Sequence, residues 1–163
     1  MRGTNALSRA RETELLQLAA ELTVAWNPVR TFGTGAGTIS FPEGAKEMLR
    51  WEHRALSTIE TWFQDRDFSY LKKGGSGGPT IADIVLFQFL EFTDDCYGVD
   101  MTKGSGEKVT DVYGREAVQK YDKLTEFYQA LKGRDSVTRD EKAGEVASQA
   151  VLERMQMWAE GVL

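Results

Sequence analysis

Apolar residues recur at three- and four-residue steps along most of this chain, and the rhythm breaks only where glycine, proline or a polar run interrupts it. From about position 8 to Trp26, the residues Leu15, Leu18, Ala19, Leu22 and Trp26 mark one face. Arg9, Arg11, Glu12 and Glu14 occupy the opening turns, so a long amphipathic first helix is predicted. Pro28 should end or kink it, and the Gly- and Thr-rich stretch 31–40 reads as a loop. A second helix is predicted over 43–64. Met48, Leu49, Leu56, Ile59 and Phe63 make one stripe there, and Trp51, Ala55 and Trp62 make a neighbouring one, which implies contacts on two sides.

The stretch after the flexible connection 72–78 is apolar on nearly every side: beyond Ile81 and Ile84 come Val85, Leu86, Phe87, Phe89, Leu90 and Phe92, with only Gln88 and Glu91 interrupting after Ile84. Such a helix has no solvent stripe and is expected to be fully buried at the centre of the fold. Thr80 is suited to cap it, with Asp83 reaching back to the Thr80 amide in a capping box. Beyond Gly98, residues 102–110 are polar and Gly-containing, which predicts a mobile surface loop. Helical spacing resumes with Val118, Tyr121, Leu124, Tyr128 and Leu131, and a last helix over 144–160 carries Val151, Met155, Trp158 and Val162. With no strand in the pattern, the expectation is an all-α bundle of five or more helices around a buried central helix. It forms a single domain over 1–163, in which 138–163 is a C-terminal helical extension.

Composition narrows the function. The 163 residues are 41% hydrophobic and 28% charged, enough for one core, and the net charge of -5 with no Lys/Arg cluster argues against nucleic acid as a partner. No run approaches the roughly 18 apolar residues of a membrane span, and the first ten residues lack the apolar centre of a signal peptide. Cys96 is the only cysteine, so an intrachain disulfide is impossible and a reducing, cytoplasmic setting is expected. His53 is the only histidine, which excludes a zinc site built from several histidines, and no metal is expected. A Ser-His-Asp relay would have to pass through His53, yet it shares a polar stripe with Lys46, Arg50, Ser57 and Glu60 and is expected at the surface. Asp94 and Asp95 would raise the pKa of the neighbouring Cys96 thiol, so a structural role suits it better than a nucleophilic one. The glycines at 33, 35 and 37 and those in 74–78 lack the strand or Lys-Ser/Thr context of a phosphate loop and read as linkers. No catalytic residue is assigned.

The run Gly78, Pro79, Thr80, Ile81, Ala82, Asp83, Ile84 is followed by Gly98, Val99, Asp100 and then by Tyr121, Leu124, Phe127, Tyr128, Leu131, Arg134, Ser136 and Val137. Together these resemble the C-terminal, all-helical domain of glutathione transferases, whose central helix opens with a Ser/Thr-x-x-Asp box and whose later helix ends in a pattern similar to 132–137. Against that family, 102–110 is an insertion. The resemblance implies that this helical half supplies much of a hydrophobic electrophile pocket and part of a homodimer interface. Glutathione, the co-substrate, is held mainly by an N-terminal thioredoxin-like domain carrying the activating Tyr, Ser or Cys. Nothing in the sequence resembles that domain, so this chain alone should be inactive and should hold no cofactor of its own. By position, Trp26 and Arg30 are candidate substrate-binding pocket walls. Similar domains also serve as non-catalytic docking modules in translation elongation factor and aminoacyl-tRNA synthetase assemblies, and that role would call for an exposed apolar patch through Trp51 and Trp62.

Overall fold

In the computed structural model, which describes residues 5–34, 41–72, 78–134 and 137, the periodic segments become four α-helices. These are α1 (Ala6–Thr34), α2 (Pro42–Phe63), α3 (Ile81–Tyr97) and α4 (Asp122–Lys132). A 3-10 turn (Ser69–Leu71) precedes α3, and a two-stranded antiparallel hairpin, β1 (Lys108–Thr110) and β2 (Glu116–Val118), precedes α4. The described chain is therefore mostly helical. The helix expected over 144–160 and the extension 138–163 lie outside the described residues, as do 35–40, 73–77, Asp135 and Ser136. Among the described residues no helix is long and apolar enough to cross a membrane.

The first helix does not stop at Pro28; it runs through it to Thr34. Proline removes the amide that would bond the carbonyl of Val24, and Val24 is 68% exposed, so that carbonyl lies on the solvent side of the helix. The start of α1 lies beside the end of α2, where Arg11 and Leu15 share a cavity with Trp62 and Phe63, so the two helices are antiparallel. The start of α1 also meets the start of α3, and Trp26 packs edge-on against Phe89 and Tyr97 further along, so α1 and α3 run parallel. Phe63, Phe68 and Phe127 form a mutually packed aromatic cluster where α2 and α4 meet.

The expectation of a helix buried on every side fails for α3. Leu86, Phe89, Leu90 and Tyr97 are buried, but Ile81, Ile84 and Phe92 are 69%, 50% and 43% exposed and line up with exposed Gln88 on one stripe. α1 and α4 pack against α3 from two sides, and no described residue covers this third side. The helix closes as its sequence suggests: Gly98 takes a left-handed φ of 66°, and the Val99 amide donates to the Thr93 carbonyl, six residues back.

The mobile loop expected over 102–110 is also corrected, as is the absence of strands. Val109 pairs with Ala117 in the hairpin, and Val118, expected on a helix, lies in β2. Buried Asp111 closes the turn by accepting from the Tyr113 and Arg115 amides at 2.9 and 2.8 Å. The hairpin is pinned to α2 by Arg54, whose guanidinium donates to the Thr110 and Asp111 carbonyls at 2.6 and 3.1 Å, and by the Val112 amide on Thr58 Oγ1 at 3.3 Å. Two short strands with one inward residue each leave almost no alternation to detect.

Tyr121, at the N-cap position of α4, provides no side-chain cap. The cap comes instead from α2: Glu60 accepts from the Lys123 amide at 2.9 Å and the Leu124 amide at 2.8 Å. A carboxylate at a buried helix start satisfies orphan amides and faces the positive end of the helix dipole. Glu60→Ala is therefore expected to lower stability by about 2 kcal/mol, read as a drop in the urea unfolding midpoint, and an unchanged midpoint would mean that this cap carries no stability.

Candidate functional site

The head of α3 is a densely bonded polar locus. Both arms of the capping box are formed: the Asp83 amide donates to Thr80 Oγ1 at 3.2 Å, and the Thr80 amide donates to Asp83 Oδ2 at 2.8 Å. Asp83 is fully buried and has two further partners, the Tyr70 hydroxyl on Oδ2 at 3.2 Å and Arg66 Nη2 on Oδ1 at 3.4 Å. Arg66 also donates to the Tyr70 hydroxyl, and Arg134 donates to the carbonyls of Tyr70 and Leu71. Burial, with Asp83 beside it, pushes the Tyr70 hydroxyl up to about 12. The arrangement locks the turn before α3 onto the start of the helix.

The two candidate pocket residues part company. Trp26 is buried in the core with its Nε1 hydrogen unpartnered, while Arg30, one turn on, is exposed. Neither lines the cavities of about 530, 510 and 460 Å³ that open on the described surface. Trp51 and Trp62, expected to form an exposed patch, are half-buried against the core, with the Trp62 ring 6.1 Å from that of Tyr113. Cys96 is half-buried, and its neighbour Asp94 accepts from the Tyr128 hydroxyl at 3.2 Å and faces Lys132 Nζ at 3.6 Å.

His53 is not a surface residue, and this is the largest correction to the sequence reading. It is 9% exposed, because the Tyr121 ring stacks on it at 6.0 Å. Nδ1 lies 3.0 Å from the Tyr121 hydroxyl, which itself reaches the His53 carbonyl at 3.0 Å and Ser57 Oγ at 3.4 Å. Burial presses the imidazole down to about 4 and lifts the Tyr121 phenol to about 12. His53, Ser57 and Glu60, read from sequence as a solvated stripe, in fact receive Tyr121 and the start of α4. Their signal was the spacing, four then three residues, directly beside the apolar stripe.

On its other side His53 lines the cavity of about 510 Å³ between α2, the exit of α3 and the base of the hairpin. One residue earlier, Glu52 occupies a position in the run Ala45, Leu49, Leu56, Ile59, Phe63 that the spacing assigns to the core. It is fully buried, neither carboxylate oxygen has a partner among the described residues, and burial raises its carboxyl to about 9, so it is protonated at neutral pH. No cluster of three or more His, Cys, Asp or Glu fit to hold a metal occurs among the described residues.

No protein-family model, curated protein or solved structure matches the chain.

Asp83→Ala leaves the Thr80 amide and the Tyr70 hydroxyl without their acceptor as well as removing the cap, so a loss of about 2–3 kcal/mol is expected. Tyr70→Phe should lose distinctly less in the same thermal melt. The two buried titratable groups also set a pH profile. His53 falls from 6.5 in the unfolded chain to about 4 in the folded one, so stability drops as pH falls from 6.5 towards 4. Glu52 rises from 4.5 to about 9, so stability drops as pH climbs from 4.5 towards 9. Between about 4.5 and 6.5 the two slopes oppose, and a plateau should appear there. Urea melts of Glu52→Gln should show a flatter decline above pH 6.5; a decline as steep as that of the parent chain would assign the alkaline slope to other groups.

Proposed function

We propose that this chain is the helical half of a glutathione transferase-like protein. The observation that carries this reading is the buried, doubly closed Thr80–Asp83 box at the head of α3, followed by the left-handed exit at Gly98. These are two of the features on which the resemblance rests, and each has the geometry that its motif requires. In the whole protein a thioredoxin-like domain holds glutathione and lowers its thiol pKa, and the sulfur attacks an electrophilic carbon whose leaving group departs. The helical half binds and orients the hydrophobic electrophile, keeps water away and contributes to a homodimer interface. Of the two residues expected to line that pocket, Trp26 is buried in the core and Arg30 is exposed.

A second reading, a non-catalytic docking module, is favoured by one observation: the exposed stripe of Ile81, Ile84 and Phe92 on α3. Both readings meet in one measurement, the intact mass of the endogenous protein. The transferase reading expects a mass above 18.2 kDa by about one small domain, roughly 100 residues. It also expects no conjugation of glutathione to an activated aryl halide by this chain alone. A mass of 18.2 kDa, or turnover by the pure chain, would overturn it, and the first of these results would leave docking as the function to pursue.

A further inference from the structure

We propose that the cavity beneath the hairpin binds a small organic anion with an apolar body, held by Lys46 and Arg50 at the rim and His53 at the floor. Lys46, Arg50 and His53 follow one another at steps of four and three residues on a single face of α2, and all three line the cavity. The volume of about 510 Å³ falls within the range of small-molecule sites. Leu49, Val99 and Met101, all buried, provide an apolar wall.

Charge decides the class of ligand. The cavity carries three cations, Lys46, Arg50 and Lys103, against two carboxylates, Asp100 and Glu107. Lys103 and Asp100 face each other at 3.7 Å, and Asp100 is further occupied by the Thr102 amide and hydroxyl. Lys46 and Arg50 pair with Glu43 and Glu47, which lie outside the cavity on the exposed side of α2. Exposed pairs of this kind contribute little, so both cations can turn to an anion at small loss. His53 uses Nδ1 towards Tyr121, and Nε2 has no hydrogen-bond partner among the described residues. An anion beside it favours the imidazolium form, which then donates from Nε2.

The hairpin builds this site. Its base forms one wall, and Gly104 lies so close to the Gln119 carbonyl that a Cβ there would sit 2.0 Å from the oxygen. Lys46, Arg50 and His53 lie outside the motifs on which the transferase resemblance rests, so the proposal does not depend on that reading.

The lone histidine makes the test direct, since its imidazole ¹⁵N signals in the labelled full chain belong to one residue. Benzoate is the probe and benzyl alcohol, its uncharged counterpart, is the control. We expect benzoate to shift the His53 signals saturably, to raise the His53 titration midpoint and to bind less tightly as salt increases. Benzyl alcohol should give no saturable shift. Arg50→Ala, at a side chain 66% exposed and so tolerated by the fold, should weaken benzoate binding by about tenfold. Arg54→Ala, which removes two of the three hydrogen bonds that pin the hairpin to α2, should weaken the response. The proposal is overturned by a wild-type chain that shows no saturable shift, by an equal response to benzyl alcohol, or by unchanged binding in Arg50→Ala.

Discussion

A helix that starts inside a protein brings orphan amide hydrogens with it, and both α3 and α4 start inside this one. Two buried carboxylates answer that demand in different ways. Asp83 lies in the first turn of the helix that it caps, whereas Glu60 reaches across from α2 to the amides of Lys123 and Leu124. The second bond fixes where α4 begins. Tyr121 immediately precedes that start, so the position of Glu60 also places the phenol that stacks on His53 and bonds its Nδ1. Glu60, two turns away along α2, thus contributes to the burial that presses the His53 imidazole down.

The difference between the two carboxylates explains what could be read from the sequence. The Thr80–Asp83 box is local, three residues apart, and its motif announces it. Helix α2 was legible to within a residue at each end because its apolar stripes are long and unbroken. Glu60, His53 and Ser57 were misread because a polar stripe has the same spacing whether it faces water or the polar atoms of another element. The hairpin was missed for a related reason: what holds it in place is Asp111 in its own turn and Arg54 and Thr58 on α2, none of which makes a period-two pattern. Trp26 was placed in a pocket by position alone, and the apolar rhythm of α1 already assigned it to the core.

Glu52 shows the opposite failure. Its spacing is that of a core residue and the structure buries it as one, yet it carries a carboxyl that finds no partner among the described residues. A leucine would continue the stripe of Leu49, Leu56 and Ile59 without that loss. The stripe therefore specifies the contact between α1 and α2 by shape while Glu52 weakens it by chemistry, and it weakens it more as the solution becomes alkaline.

Hydropathy and burial exchange roles between α2 and α3. From Glu52 to Glu60 every residue of α2 is buried or half-buried, although six of the nine are polar or charged. α3, far more apolar, has a stripe that no described residue covers. The cause is what arrives on each face. The hairpin and the start of α4 present carbonyls, amides and a phenol, and only polar side chains satisfy those. A polar stripe on a buried helix is thus the mark of partners that dock by their backbones.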